Sequence, residues 1–333
     1  RRDWIQWSAM TAAMGWPALA SAQTASTAML KPGKPYAGQT VNILSVVAPQ
    51  FSAHEARLAE FEALTGITVK YQYVPFGNTR EKLTAELVAK TDQYDVLSAM
   101  DIWGPSLYNL FEPLNSRLSE KKIDMEARYP RAHLRAAKDG LGQGPNYIGF
   151  PVRGHVQLLF YRKDIFAKHG IKAPETWDQM VEAGKQVQAK TDLSGVAMYY
   201  GKTSGQNLMI WFNYLWGAGG DLLDAKGQPA FNSPAGVAAT QAYIDVLLKH
   251  KAAPSASASF NETDAVNSVA QGKSAMVPVW WWRYASLVDP KVSTLKPEQV
   301  AFAPLPSMPG KPNTTYTNTW FYGINRNSKR KDA

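Results

Sequence analysis

The first third of the chain contains three short runs whose apolar spacing predicts strands. Residues 41–47 and 94–97 are mostly apolar, as in buried strands, whereas residues 68–74 alternate between apolar and polar positions. Sequences with helical spacing fill the two intervals between these runs. Strands that alternate with helices at these distances predict a parallel sheet in an α/β domain.

The helix in the first interval is predicted from its terminal residues. Ser52 and Glu55 have the spacing of a capping box with Ser52 as the N-cap, and Gly66 is expected to end the helix. The apolar positions expected to face a core in this helix are Ala56, Leu58, Ala59 and Phe61. The helix in the second interval is predicted from the positions of Leu83, Leu87 and Val88.

The middle of the chain continues in the same style. Residues 156–161 form an apolar run that predicts a further strand. Thr176 is the expected N-cap of one helix, and Ser233 followed by Pro234 predicts the start of another. The apolar face of that later helix is expected to comprise Val237, Tyr243, Ile244, Leu247 and Leu248. A chain of 333 residues exceeds one ordinary core, which favours two domains.

Three consecutive tryptophans, Trp280, Trp281 and Trp282, follow the apolar run at 275–279. Neighbouring side chains of a strand point to opposite faces, so the three rings cannot all face one core. At least one ring is therefore expected to border a cavity or an interface. An indole in a cleft can stack on the apolar face of a sugar ring, and a bulky corner of the core is the alternative.

Composition fits a soluble globular protein, and the lack of catalytic motifs favours a binding protein over an enzyme. Hydrophobic residues make up 45% and charged residues 19% of the chain, and the absence of cysteine excludes disulfides, thiolate metal sites and cysteine nucleophiles. The net charge of +9 is scattered apart from residues 329–331, which indicates a solvated surface rather than a nucleic-acid groove. The five histidines lack metal-ligand spacing, and catalytic motifs are missing, so neither a cofactor nor a metal is expected.

The N-terminal residues 1–22 have the order of a secretory signal. Arg1 and Arg2 precede an apolar stretch at 7–19, and a small-residue cleavage pattern follows at 20–22. Paired arginines in this position resemble a twin-arginine signal, and an N-terminal membrane anchor is the alternative. Residues 23–38 are expected to form a flexible leader, and the mature protein is expected outside the cytoplasm.

Seven short segments carry a family resemblance. They read FEALTGITV at 61–69, YRKDIF at 161–166, PETWD at 174–178, WGAGGD at 216–221, QGKSAM at 271–276, APLP at 303–306 and WFYGIN at 320–325. In this order they resemble the extracellular solute-binding proteins of bacterial ABC importers, the family that includes maltose-binding protein. The resemblance covers the chain from about Val41 to its end.

The resemblance implies a two-lobe, periplasmic-binding-protein-like α/β fold of type II, with a ligand cleft between lobes that close by hinge motion. Lobe 1 is expected to comprise residues 39–151 plus 304–333, and lobe 2 residues 152–303. Chains of the family normally continue with several helices that close the second lobe. The C-terminal helices are therefore expected to be missing from this sequence.

Five candidate ligand contacts lie in the expected second lobe or at its start. By its position after the QGKSAM segment, Trp282 matches the sugar-stacking tryptophan of the family, with a place in the lobe core as the alternative. Trp281 and Arg283 border it. Arg153 and His155 follow the expected crossing between lobes, where the family often places a polar contact; a structural role is the alternative for His155.

The other candidates come from strand ends and from isolated aromatic residues. Asp101 and Trp103 follow the strand near residues 95–99, where a carboxylate can accept sugar hydroxyls in charge-assisted hydrogen bonds. A helix N-cap is the alternative role for Asp101. The remaining candidates are Gln50, which follows the first strand, and Trp211 and Trp320, for which buried packing is the alternative.

The resemblance implies a periplasmic, monomeric, non-enzymatic receptor. It would capture a sugar or polyol and deliver it to the transmembrane permease subunits of an ABC importer, with no nucleic-acid partner. A receptor of the same fold for an anionic solute, such as a sugar phosphate or sugar acid, is one alternative, supported by Arg153, His155 and Arg283. A secreted carbohydrate-active enzyme is the other.

Overall fold

The computed structural model describes residues 30–139, 144–202, 205–224 and 226–333, except for the side chains at 49, 50, 104 and 105. The predicted signal at 1–22 and the leader as far as residue 29 lie outside the described residues. The chain divides by its contacts into two compact units. The first unit comprises Arg1–Arg153 and Thr319–Ala333, and the second comprises Gly154–Asn318.

Strands and helices alternate along the chain. The strands are β1 (Thr40–Val46), β2 (Thr68–Val74), β3 (Val96–Met100), β4 (Phe150–Arg162), β5 (Ser194–Val196), β6 (Ser274–Trp280), β7 (Val300–Pro304) and β8 (Thr317–Ile324). The α-helices are α1 (Pro49–Ser52), α2 (Leu58–Thr65), α3 (Phe76–Val88), α4 (Asn115–Glu120), α5 (Met125–Arg128), α6 (Arg131–Leu134), α7 (Lys163–His169), α8 (Trp177–Lys190), α9 (Gln206–Gly217), α10 (Pro234–Leu248), α11 (Glu262–Ala270) and α12 (Tyr284–Val288). Short 3₁₀ helices occupy Ala53–Arg57, Asp101–Ser106, Tyr108–Leu110, Arg135–Ala137, Ser255–Ala258, Trp281–Arg283 and Pro297–Gln299.

The sheet of the first unit has the order β2-β1-β3-β8. Strand β1 runs parallel to β2 and β3, which confirms the predicted parallel α/β arrangement. Strand β8 comes from the far end of the sequence and pairs antiparallel with β3, from Met100 with Trp320 to Val96 with Ile324. The pairing brings Trp320 beside the end of β3, where the 3₁₀ helix that carries Asp101 begins.

Strand β4 is the central strand of the second unit. It pairs antiparallel with both β6 and β7, and the short strand β5 runs parallel to β6. The predicted strand at 156–161 is confirmed as the later part of β4. Every residue of β6 is buried, so this strand forms the middle of the core on which the following turn is built.

The helix starts predicted in this unit are confirmed. The Thr176 side chain accepts from the Gln179 backbone N–H, and the Gln179 side chain accepts from the Thr176 N–H, completing a capping box for α8. The Ser233 hydroxyl accepts from the Gly236 N–H at 3.3 Å, and Pro234 opens α10. Both helices thereby pair backbone N–H groups that a helix cannot pair internally.

The predicted apolar face of α10 is wrong in part. Tyr243 is buried, but Val237 is 59% and Leu248 66% exposed. The buried face of the helix is instead formed by Gly236, Ala239, Tyr243 and Val246. These residues recur every three or four positions, and the two small ones allow a close approach to the core.

The predicted capping box at Ser52 is also wrong. Ser52 has helical backbone angles (φ −70°, ψ −17°), whereas an N-cap residue is normally extended, and a 3₁₀ helix follows it. Helix α2 therefore begins only at Leu58, although it ends, as predicted, before a left-handed Gly66 (φ 73°). The predicted core face is exposed or half-buried at all four positions, Ala56, Leu58, Ala59 and Phe61. Phe61 lines an open groove with apolar residues of β1 and β2.

The structure places residues 304–318 in the second unit, whereas the sequence assigned them to the first lobe. The reason is local packing. The Tyr316 backbone N–H donates to the Asn213 side-chain oxygen at 2.6 Å, and its ring packs on Phe212 with a centroid distance of 5.2 Å. The chain passes between the units after Arg153 and again after Asn318.

No helix among residues 30–139, 144–202, 205–224 and 226–333 combines the length and apolar character that a membrane span requires.

Helix α8 and strand β5 meet through two glycines. A Cβ atom placed on Gly195 would lie 2.4 Å from the Cα atom of Gly184, far inside the van der Waals contact distance. We expect Gly195→Ala to lower the free energy of unfolding by about 1–3 kcal/mol, because the helix must move away from the sheet. Urea denaturation of the wild type and the variant measures this difference.

The matched control is Gly77→Ala, near the start of α3. A Cβ atom at Gly77 meets no other atom within 4 Å. This variant is expected to keep or slightly raise the stability, by up to about 1 kcal/mol, because alanine favours the helix. Equal stabilities of Gly195→Ala and the wild type would contradict the close-approach argument.

Candidate functional site

The three consecutive tryptophans occupy three different environments. Strand β6 ends at Trp280, which is 3% exposed, and the chain then turns through a 3₁₀ helix. Trp281 is 46% exposed, and Trp282 is half-buried. The alternation expected for a strand therefore stops after Trp280. The turn leaves the Trp281 ring exposed and the Trp282 ring partly buried.

A buried carboxylate organises this turn. Glu262 is the first residue of α11, whose N-cap Asn261 forms a capping box with Asp264. The Glu262 side chain is 5% exposed and accepts from the Trp280 indole nitrogen at 3.0 Å and from the Arg283 Nε at 2.5 Å. The carboxylate thus fixes both residues that flank Trp281 and Trp282.

Arg283 and His155 approach the Trp282 ring. The Arg283 guanidinium carbon lies 4.5 Å from the Trp282 ring centroid, a cation–π geometry, while its Nη2 donates to the Thr263 hydroxyl at 3.1 Å. His155 on β4 is buried, with its ring 5.7 Å from Trp280 and 6.1 Å from Trp282. We call these residues, Trp280, Trp282, His155, Arg283 and Glu262, the Trp282 cluster.

A buried polar network continues from this cluster along β4. Gln157 pairs with Trp280 across the two strands, and its side-chain oxygen accepts from the Asn213 amide at 2.6 Å. The Asn213 oxygen in turn accepts from the Tyr316 N–H, and the Tyr316 ring packs against Trp280 at 5.8 Å. Because these groups are mutually satisfied, the network holds β4, β6 and α9 in one register.

Trp211 lies on α9 and makes contacts typical of packing. Its indole nitrogen donates to the Thr240 hydroxyl on α10 at 2.9 Å, and its ring packs against Phe212 at 5.8 Å. These contacts join the two helices and fit the packing alternative.

The first unit contains a separate aromatic group. Trp103 and Trp320 meet edge to face with ring centroids 5.1 Å apart, and both are nearly buried. Phe76 lies 5.9 Å from Trp103, and Phe51 lies 5.5 Å from Trp320. The Arg153 guanidinium carbon stands 5.4 Å from the Phe51 ring centroid. We call the four aromatic residues the Trp320 cluster.

Asp101 connects the end of β3 to β8. One carboxylate oxygen accepts from the Ile102 N–H at 2.8 Å, and the other accepts from the Thr319 N–H at 3.3 Å. The Thr319 hydroxyl bonds His133 Nδ1 at 2.8 Å, and burial lowers the pKa of His133. The side chain of Gln50, the remaining candidate in this unit, lies outside the described residues.

Of the ten sequence candidates, the structure brings Trp282, Arg283 and His155 together in one unit. It brings Trp103 and Trp320 together in the other, with Arg153 at the edge of that group. Sequence reasoning missed Glu262, for which an acidic residue beside an asparagine N-cap was the only signal. Within the part of the chain that the structure covers, no three histidine or acidic side chains are grouped to hold a metal ion.

Comparison with known proteins identifies relatives along most of the chain. A family model described as bacterial extracellular solute-binding protein matches residues 46–333. A probable amino-acid ABC transporter periplasmic-binding protein of Sinorhizobium fredii is 26% identical over 307 residues, which are 90% of this chain and 68% of that relative. The chain spans 62% and 61% of the length of two further curated relatives.

Two solved structures share the architecture. An ABC transporter solute-binding protein of Agrobacterium radiobacter, in complex with ribitol, is 25% identical with a TM-score of 0.72, covering 89% of this chain and 74% of that one. The maltose-bound MalE3 of T. maritima is 27% identical with a TM-score of 0.73, covering 89% and 75%. The predicted two-lobe α/β fold is thereby confirmed.

Proposed function

Because the chain belongs to the bacterial extracellular solute-binding proteins, we propose that it is the substrate-binding receptor of an ABC importer and captures a sugar or polyol. The observation that supports a sugar or polyol as the ligand is the half-buried Trp282 ring, whose centroid lies 4.5 Å from the guanidinium carbon of Arg283. An indole presents a large, rigid apolar surface that suits the C–H face of a polyhydroxylated ligand. Polar neighbours then pair with its hydroxyl groups.

Two similar proteins that were solved with a bound ligand support a sugar or polyol as the ligand class. The Agrobacterium protein was solved with ribitol and the T. maritima protein with maltose, and both are matched over 89% of this chain. In this proposal, Trp282 supplies stacking, and Arg283 and His155 supply polar contacts. The Trp320 cluster, with Arg153 and Asp101, is a second candidate contact surface in its own unit.

An amino acid is the first competing ligand, since the Sinorhizobium relative is described as a probable amino-acid binding protein. An anionic sugar derivative is the second. The pairing of Arg283 with Glu262 disfavours the anion, because the buried carboxylate already neutralises that cation. Catalysis is not part of this proposal, because the family consists of binding proteins.

We propose further that the receptor acts in the periplasm as a monomer and delivers its ligand to the permease subunits of the importer. The paired Arg1 and Arg2 ahead of an apolar stretch support export by the twin-arginine route.

A thermal-shift screen of the full chain tests the ligand class. Ribitol, mannitol and maltose are compared with free amino acids, sugar acids and sugar phosphates. A ligand present at 100 times its dissociation constant adds about 2.7 kcal/mol to the free energy of unfolding, which raises the melting temperature measurably. We expect a shift with a neutral sugar or polyol. Shifts confined to amino acids or to anions would contradict the proposal.

A further inference from the structure

Taking its two side chains together, the Glu262–Arg283 ion pair is the least exposed of the ion pairs among the described residues. Glu262 is 5% and Arg283 17% exposed, and the Nε–Oε1 distance is 2.5 Å. Ion pairs at the surface, such as Arg57 with Glu60, have side chains 73% and 41% exposed. A buried pair has low water screening, so its charge balance acts strongly on anything that binds beside it.

The hydrogen bonds of the pair commit most of its polar atoms. The Glu262 carboxylate accepts from Trp280 with one oxygen and from Arg283 with the other. Arg283 uses its Nε for this bond and its Nη2 for Thr263, while its guanidinium lies against the Trp282 ring. The cation next to Trp282 is therefore held in place by a residue of equal and opposite charge.

This balance has a consequence for ligand selection. A hydroxyl group can accept a hydrogen bond from Arg283 while the pair remains neutral. A carboxylate in the same place would be desolvated without meeting a net positive charge, because the Glu262 carboxylate is already paired with the Arg283 guanidinium at 2.5 Å. The Glu262–Arg283 pair therefore disfavours an anionic ligand and can still donate a hydrogen bond to a neutral one.

We propose that Glu262 is a specificity-determining residue of this receptor. By neutralising Arg283 beside the Trp282 ring, it makes the site select neutral polyhydroxylated ligands over their carboxylate analogues. Glu262 acts through Arg283 and Trp280, as a positioning residue, rather than by touching the ligand. This inference rests on the proposed function and on Trp282 as a ligand contact.

The test uses pairs of ligands that differ in one charge: ribitol with ribonate, and maltose with maltobionate. The quantity measured is the ratio of the dissociation constants of the acid and the neutral ligand, by calorimetry at low and high salt. Glu262→Gln leaves Arg283 without a counter-charge and should shift this ratio toward the acid, by roughly 10- to 100-fold at low salt. The shift should shrink at high salt, because ions screen it.

Two further variants separate charge from structure. Arg283→Gln leaves the Glu262 carboxylate unbalanced and should shift the ratio in the opposite direction, even if Glu262→Gln fails to fold. The double variant Glu262→Gln with Arg283→Gln is neutral and should return the ratio to within about threefold of the wild type. A merely structural pair would change both affinities together and leave the ratio constant.

The outcomes for the two hypotheses are distinct. If the wild type binds the neutral ligand and the two single variants shift the ratio in the same direction, or not at all, the specificity role of Glu262 is wrong and the receptor function stands. If the wild type binds the acids but no neutral sugar or polyol of the thermal-shift screen, the proposed function fails and this inference fails with it.

Discussion

Trp282→Ala is expected to weaken the binding of a neutral sugar or polyol by roughly 30- to 1,000-fold, because truncating an aromatic contact of this kind costs about 2–4 kcal/mol. The side chain is half-buried and its ring is held by Arg283 at 4.5 Å, so it is ordered before the ligand arrives. An ordered ring loses little entropy on binding. Calorimetry with the ligand found in the screen gives the two dissociation constants.

The control for this prediction is Trp216→Ala, another half-buried tryptophan of the same unit. Trp216 stacks on Phe212 at 4.8 Å, and its indole nitrogen donates to Asp221 at 3.3 Å. Its truncation is expected to cost stability but to leave the affinity unchanged. If Trp282→Ala binds as tightly as the wild type, Trp282 is not a ligand contact, and the Trp320 cluster becomes the surface to test.

Local sequence signals predicted the elements that local interactions decide. Thr176 and Ser233 act as N-caps because their hydroxyls reach backbone groups only three residues away. Gly66 ends α2 because the left-handed backbone at that position favours glycine. Such features depend on a few neighbouring residues, so the sequence is sufficient to find them.

Where the sequence prediction was wrong, tertiary packing determines where the helix begins or which of its faces is buried. Ser52 and Glu55 have the spacing of a capping box, yet the chain there forms a 3₁₀ helix, and the preceding Phe51 ring packs against Trp320. In α10 the buried stripe includes Gly236 and Ala239, which a search for large apolar residues passes over. In both places tertiary contacts override the local preference.

The candidate site shows the same division. Trp282, Arg283 and His155 could be selected because their residue types suit a polyhydroxylated ligand and because the family resemblance marked their positions. Glu262 could not, since its partners Trp280 and Arg283 lie 18 and 21 positions away. Only the packing of α11 against β6 brings that carboxylate within hydrogen-bond distance of Trp280 and Arg283. The residue that sets the charge of the site is thus the one that sequence pattern alone does not reveal.

Asp95→Ala is expected to lower the free energy of unfolding by about 2–4 kcal/mol, because it removes a buried carboxylate that several donors share. Asp95 is 2% exposed and accepts from the Asn42 N–H at 2.9 Å, the Ser328 hydroxyl at 2.6 Å and the Arg330 Nε at 3.0 Å. Arg330 is 30% exposed and can regain water, so the expected loss is smaller than for a fully buried pair. Urea denaturation followed by tryptophan fluorescence measures the loss.

The same segment offers a matched comparison in Asp92→Ala. Asp92 pairs with Lys329 at 3.2 Å, but these side chains are 41% and 80% exposed, so water and salt screen the attraction. Removing it should leave the urea transition unchanged. If both variants unfold at the same urea concentration as the wild type, the hydrogen bonds from Ser328 and Arg330 to Asp95 do not stabilise the protein. A loss confined to Asp95→Ala shows that the buried carboxylate, which bonds Asn42 of β1, Ser328 and Arg330, stabilises the protein more than the exposed ion pair does.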